Sequence, residues 1–426
     1  MRLRLTPRRR AEPTVILISL DGVRADYLER GLTPHLLNIS RKGLRAEYLQ
    51  PVFPSLTFVN HWSIMTGLYP SSHGIVANDF YDPALGKEFV YTEPSKSWAP
   101  EWWGGEPIWS TAVKNGLRSA VLMWPGPPKM LDGIKPTFFY PFINHYHYRK
   151  KLSKLASWLD LPLTTRPHLI TAYSPEVDQE GHRSGPHSHK VEQTLGSMDN
   201  FAKEVYELLE ERNLTEIVDV IFVSDHGMTD THNERLVFLD DILGEEGFNG
   251  IERNEGWPSA GLRFAPHIDT DLMLAKLQNA SAESKGGFQV FTHDTMPERW
   301  HFGGHERIAP IYAVPEPGWA ISNRHDFHVT MKGDYVPKGN HGYDPADPSM
   351  HAVFCAHGPF ANSIRSADLR RRQVDPTDSD PDAQITVIPG FPNLEIYDLV
   401  AKLLGIEEEK RAPTNGTRGF WEQYLD

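Results

Sequence analysis

The chain has 426 residues, 39% of them hydrophobic and 23% charged, and a formal net charge of −13. Such a composition belongs to an ordinary globular protein with enough length to bury a large core. The acidic balance argues against non-specific binding of polymeric nucleic acid, which needs a basic face. It leaves room for a small anionic substrate, because a metal site can reverse the local field.

Residues 1–12 form a basic tail with Arg2, Arg4 and Arg8 to Arg10. Val15-Ile16-Leu17-Ile18-Ser19-Leu20 follows at once and reads as a fully buried strand, closed by Asp21-Gly22. Helices are expected over 34–42 and 58–66, the second beginning near Thr57 in Phe53-Pro54-Ser55-Leu56-Thr57-Phe58. A helix over 107–115 leads into a strand at Ala120-Val121-Leu122-Met123. Next come a strand over His168 to Tyr173, a helix over 187–212 and a strand over Val218 to Val223. His351 to Cys355 reads as a later strand and 394–404 as a last helix. This alternation predicts an α/β fold, a central mostly parallel sheet with helices on both faces, in one domain over 13–426. Residues 236–335 differ, with strand-like pieces, a helix near 270–279 and many prolines and aromatics. They read as a small inserted α+β cap. Residues 366–388, rich in Asp, Pro, Ser and Arg, read as an exposed loop.

Several predicted strands end in polar residues: Asp21 after the first, Asp178 soon after the third, Asp225-His226 after the fourth. Ligands of open α/β sheets bind beyond the carboxyl ends of the strands. His182 stands four residues from Asp178, and His341 lies in a Gly-rich loop. Three carboxylates and three imidazoles divide into two groups of three, the donor set of a catalytic zinc pair; magnesium would want more oxygen. Each residue also has an ordinary reading: Asp21-Gly22 and Asp225-His226-Gly227 as turns, Asp178/His182 as a surface ion pair, His341 as a loop residue. Thr57, at a helix start where free amides favour phosphate, is a candidate nucleophile, with a plain N-cap as the alternative.

Taken in order, these residues and their neighbours resemble the nucleotide pyrophosphatase/phosphodiesterase family of the alkaline phosphatase superfamily. The motifs are Ile18-Ser19-Leu20-Asp21-Gly22, Thr57-Phe58-Val59-Asn60-His61, Thr66-Gly67-Leu68-Tyr69-Pro70, His73-Gly74-Ile75, Trp102 to Trp109, Trp124-Pro125-Gly126, Asp178 to His182, Ser224 to Met228, and His341-Gly342. The resemblance implies two Zn2+ ions. Asp178, His182 and His341 would hold one, Asp21, Asp225 and His226 the other, with Thr57 near both as a metal-bound nucleophile that becomes a phosphothreonine. It implies that Asn78 donates to a phosphate oxygen. Phe58 would form one wall of a base slot, Tyr140 or Phe142 the other, and Tyr173 would line the same pocket. Val59 stands where the family has proline. The cysteine-rich and nuclease-like modules of animal members are missing, so the chain looks like a fungal or bacterial single-domain member. Its expected partner is a nucleotide or another small phosphodiester.

Two alternatives keep the site and change its use: a phospholipid head-group phosphodiesterase or a phosphomonoesterase. A third, a non-catalytic binding module, is disfavoured because every expected position is filled. Compartment is read from weak signs. The single cysteine, Cys355, excludes an intrachain disulfide, and the tail leaves no room for a signal peptide. Four glycosylation sequons, at Asn38, Asn213, Asn279 and Asn415, favour the secretory pathway if an upstream anchor or signal is missing from this sequence; otherwise the expected compartment is the cytoplasm. Membrane contact is expected only through an anchor that the sequence lacks.

Overall fold

The computed structural model describes residues 13–284, 286–372 and 384–425; the basic tail lies outside them. Apolar runs with little room for polar residues must be covered on both faces, and the strand Thr14–Leu20 is buried throughout. It occupies the middle of an eight-stranded sheet. The order is Val387–Ile388, Leu44–Ala46, Phe354–His357, Val218–Val223, Thr14–Leu20, Leu169–Ser174, Ser119–Leu122 and Phe138–Tyr140. Thr14–Leu20 pairs in parallel with both neighbours, and Phe354–His357 pairs antiparallel with Val218–Val223.

Side chains alternate across the sheet, as the pleat requires. Val15 and Leu17 join the cluster beneath the helices Thr57–Thr66, Ile108–Lys114 and Glu395–Leu403. Ile16, Ile18 and Leu20 join the opposite cluster, under Pro34–Lys42, Tyr148–Leu159 and His189–Glu211. A third cluster, with Leu243, Leu262, Leu277 and Ala313, joins the helices Leu239–Asn249 and Thr270–Glu283 to a separate four-stranded sheet. Its strands are Ile251–Glu255, Ala260–Phe264, Ile311–Pro315 and Phe288–Thr292.

Two expectations shift. The late strand runs Phe354–His357 rather than from His351, because His351 and Ala352 instead bond to Ala25 and Leu49. Residues 366–372, expected in a loop, continue the helix Pro359–Arg372. Asp368 accepts from Arg371 and Arg372 at helical spacing and from Thr386, so the charges that suggested a loop pair along one helix face. Residues 373–383 lie outside the described residues.

Candidate active site

Register decides where the polar residues meet. Leu20 is level with Ser174, and Ser19 with Val223. The residues that follow these three parallel strands therefore emerge at one edge. Asp21 follows the first, Asp225 and His226 follow Val223, and the helix Glu176–Ser184 starts just beyond Ser174. Asp178 and His182 share one face of that helix, and the Asp178 amide donates to the Asp21 carbonyl. Gly22 sits at φ +71, and a Cβ there would lie 2.8 Å from Asp178 Cα. Only glycine permits this approach. Gly339–Asn340 pairs with Thr229–Asp230 and delivers His341 from the other side.

The imidazoles are set by their second nitrogens. Nδ1 of His182 lies 2.8 Å from the Gly339 carbonyl, that of His226 2.8 Å from Gly227 O, and that of His341 2.8 Å from Ser55 O. A carbonyl only accepts, so each Nδ1 carries the hydrogen and each Nε2 presents a lone pair. Nε2 of His182 and His341 face each other at 3.1 Å, and Asp178 Oδ1 stands 3.4 and 3.3 Å from them. Three acceptors meet with no hydrogen to share. Nε2 of His226 lies 3.1 Å from Asp225 Oδ2 and 3.4 Å from Asp21 Oδ1. Asp21 Oδ1, Asp178 Oδ1 and Asp225 Oδ2 are buried without a hydrogen-bond partner. Unpaired buried carboxylate oxygens are costly, and converging lone pairs add repulsion. A cation removes both penalties, so the residues fit the metal that the resemblance implies.

Charge follows the same logic. Burial and the nearby Asp225 and Asp178 carboxylates push Asp21 well above the usual carboxylate range. Burial also raises Asp178 and Asp225, but the imidazoles outweigh it. Protonated, His182, His341 and His226 would hold Asp178 at about 2, and His226 and His61 would hold Asp225 well below its ordinary value; a cation on the lone pairs of the neutral imidazoles supplies the same positive charge. Burial and the neighbouring His226 drive His341 down to about 4. Among the described residues, the ion pairs of these three carboxylates run only to His61, His182, His226 and His341.

His61 also approaches Asp225, at 3.2 Å, and with Asp21 and Asp225 it forms a metal-like group. Its nitrogens are already engaged. Nδ1 bonds to the Thr57 carbonyl at 2.8 Å and Nε2 to Ser19 Oγ at 2.8 Å. His61 therefore ties the Thr57 helix to Asp225 and the first strand, a role that its sequence position did not disclose.

Thr57 begins the helix Thr57–Thr66, whose N-cap is Leu56 with no side-chain cap. Its hydroxyl is thus free of capping and donates to His226 Nε2 at 3.2 Å. The Phe58 amide donates to Asn78 Oδ1 at 3.0 Å, which orients the Asn78 amide. Sequence reading expected that helix amide to face phosphate; Asn78 takes it instead, leaving its own NH2 as the donor. Phe58 is half-buried beside Tyr91, at a ring distance of 5.2 Å. Tyr91 was missed in the sequence. It enters through the hairpin after Asn78, whose carbonyl accepts from the Tyr91 amide.

The aromatic assignments divide. Tyr173 lies 7% exposed, and its hydroxyl donates to Asp21 Oδ2 at 2.5 Å, so it holds a candidate ligand. Phe142 is exposed, 6.2 Å from Tyr173. Tyr140 does not stand beside Phe58. The pleat points Phe139 to the Phe58 face and Tyr140 to the other, where it packs on Tyr146 and under Lys154.

Comparison with known proteins extends the pattern beyond the site. Residues 15–344 match the family model for type I phosphodiesterase/nucleotide pyrophosphatase. An uncharacterized pyrophosphatase/phosphodiesterase of Schizosaccharomyces pombe is 38% identical over 95% of this chain and 79% of its own length. Ectonucleotide pyrophosphatase/phosphodiesterase family member 3 of Bos taurus is 34% identical over 97% of this chain, which spans 44% of that protein. Murine ectonucleotide pyrophosphatase/phosphodiesterase 5, an inactive threonine-to-alanine variant solved with AMP, superposes with a TM-score of 0.83 at 29% identity. The match covers 97% of this chain and all of that one. With the family model spanning most of the chain and the fold shared from end to end, the protein belongs to the type I phosphodiesterase/nucleotide pyrophosphatase family.

Proposed function

We propose that the protein is a two-zinc hydrolase that cleaves nucleotide phosphodiester or pyrophosphate bonds through a phosphothreonine at Thr57, releasing nucleoside 5′-monophosphates. One observation carries this reading: the Thr57 hydroxyl, free of any capping role, opens onto a buried cluster of three carboxylates and three lone-pair imidazoles. Zinc bonds of about 2.0–2.1 Å in a tetrahedron separate ligand atoms by roughly 3.3 Å. The Asp178, His182 and His341 atoms stand 3.1–3.4 Å apart. Asp21, Asp225 and His226 would hold the second ion.

When bound, such ions supply positive charge to the phosphate and lower the pKa of oxygens they touch. The chain's own residues then act as follows. Thr57 Oγ1 bonds to phosphorus, the bond to the leaving oxygen breaks, and the hydroxyl proton is released to solvent. His61, fixed on the Thr57 carbonyl, keeps the hydroxyl at the cluster. Asn78, its oxygen held by the Phe58 amide, donates its NH2 to a non-bridging oxygen. Water then attacks phospho-Thr57, releasing the monophosphate and restoring the hydroxyl. Phe58 offers its ring to the nucleobase. The AMP bound to the mouse relative, in a threonine-to-alanine variant described as inactive, supports a nucleotide at an equivalent site.

A diester is favoured over a monoester because imidazoles supply the only ion pairs of the three carboxylates among the described residues. A phosphomonoester dianion calls for a further fixed cation. The test is cleavage of a p-nitrophenyl nucleoside monophosphate ester against p-nitrophenyl phosphate, before and after chelation and with zinc returned. Zinc-restored cleavage of the diester over the monoester is expected. Preference for the monoester would overturn the substrate reading.

A further inference from the structure

An exposed indole, Trp257, borders the cluster at His182. Thr57 Oγ1 is 3.2 Å from His226 Nε2, and the His226 ring stacks on His341 with centroids 3.5 Å apart. His341 Nε2 is 3.1 Å from His182 Nε2, and the His182 ring lies 6.3 Å from that of Trp257. Successive contacts thus lead from Thr57 through three imidazoles to Trp257.

Trp257 sits in the turn between the strands Ile251–Glu255 and Ala260–Phe264. Gly256, Pro258 and Ser259 are buried, while the indole is 45% exposed. A Cβ on Gly256 would meet the Tyr312 hydroxyl, and one on Gly342 would lie 2.7 Å from Pro258 Cδ. The turn is therefore seated between Tyr312 and the loop that carries His341. Its backbone is fixed by packing, and its one exposed side chain is a large flat ring beside a candidate metal ligand. A preordered ring of this kind binds a planar group at little conformational cost.

We propose that Trp257 is a specificity-determining residue that stacks on an aromatic ring in the leaving half of the substrate: a second nucleobase, or the nicotinamide of a dinucleotide. This rests on the phosphodiesterase reading above. In-line displacement sends the leaving group away from Thr57, and the imidazole contacts that start at Thr57 end at Trp257. Phe58, adjacent to Thr57, takes the base of the half that becomes attached to the enzyme. Pyrophosphate leaving from a nucleoside triphosphate has no ring to offer, so Trp257 discriminates between substrates by what departs.

The experiment compares kcat/KM for three substrates in the zinc-loaded full chain: NAD+, a 3′,5′-linked dinucleotide, and ATP. The first two depart with a ring and the third does not. In Trp257→Ala the ratio of NAD+ to ATP falls about tenfold, carried mainly by KM, and Trp257→Phe restores it to within about twofold. A matching fall for the 3′,5′-dinucleotide extends the stacking to simple diesters, and a fall for NAD+ alone assigns it to pyrophosphate-linked substrates. An unchanged ratio, or an equal loss on NAD+ and ATP, overturns the proposal and leaves the phosphodiesterase reading standing. A wild-type chain that cleaves none of the three overturns both.

Discussion

His226 and His341 stack with ring centroids 3.5 Å apart and planes 13° from parallel. His226 bonds to the nucleophile candidate Thr57, and His341 to the loop carbonyl of Ser55. One imidazole belongs to each candidate metal group, so this contact couples the two groups and sets their spacing. Chemistry that uses both groups depends on it.

Thr57→Ala removes the proposed attacking oxygen and none of the candidate ligands' Nδ1 anchors. Turnover is expected to fall by about a thousandfold or more, while elemental analysis finds the same metal content as in the wild type. Activity within tenfold of wild type would remove Thr57 from the mechanism.

Chelation should abolish activity and lower the melting temperature, because it returns three unpaired carboxylate oxygens and facing Nε2 lone pairs to a buried site. Zinc added back restores both. His341→Ala should lose about half of the bound metal. A melting temperature indifferent to chelator would show that no metal occupies the cluster.

Tyr173→Phe deletes the hydroxyl that donates to Asp21 Oδ2 at 2.5 Å. Loss of a bond that orients a ligand typically weakens metal binding by about tenfold or more. The expected result is a higher zinc concentration for half-maximal activity, with kcat at saturating zinc less affected. If Tyr173 serves the nucleobase instead, the nucleotide KM rises and the zinc requirement stays put.

Asp219 gives a pH test away from the site. Burial pushes its carboxyl from 3.8 up to about 7, against one hydrogen bond from the Phe360 amide. The folded state thus holds its proton to a higher pH than the unfolded chain. This contribution to stability is full below about pH 3.8 and is lost as pH rises through about 7. Asp219→Asn keeps the acceptor for Phe360 and has no charge to bury. It should melt several degrees above wild type at pH 8, with a smaller gain at pH 5. An equal difference at both pH values would remove Asp219 from the pH response.

Much of the fold was legible because it rests on local signals. The helix expected over 34–42 is Pro34–Lys42, and the strand expected over Val218 to Val223 has those bounds. Apolar runs and their periodicity depend on neighbours in sequence. The helix Pro359–Arg372 was misread at its end for the same reason, since its charges looked like a loop until Asp368 found Arg371 and Arg372 along one face.

By itself the sequence determined the chemical inventory: Asp21, Thr57, Asp178, His182, Asp225, His226 and His341, and the strand ends that carry most of them. It could not decide which atoms meet. Parallel register brought Asp21, Asp178 and Asp225 to one edge, and backbone carbonyls from distant loops fixed which nitrogen of each histidine is free. The tertiary structure also took the Thr57 hydroxyl out of a capping role, turned Tyr140 away from Phe58, gave Tyr173 to Asp21, and placed Trp257 beside His182. Each of these outcomes depends on a contact between residues far apart in the chain. Sequence periodicity reports which face a residue occupies, and only packing fixes what stands opposite it.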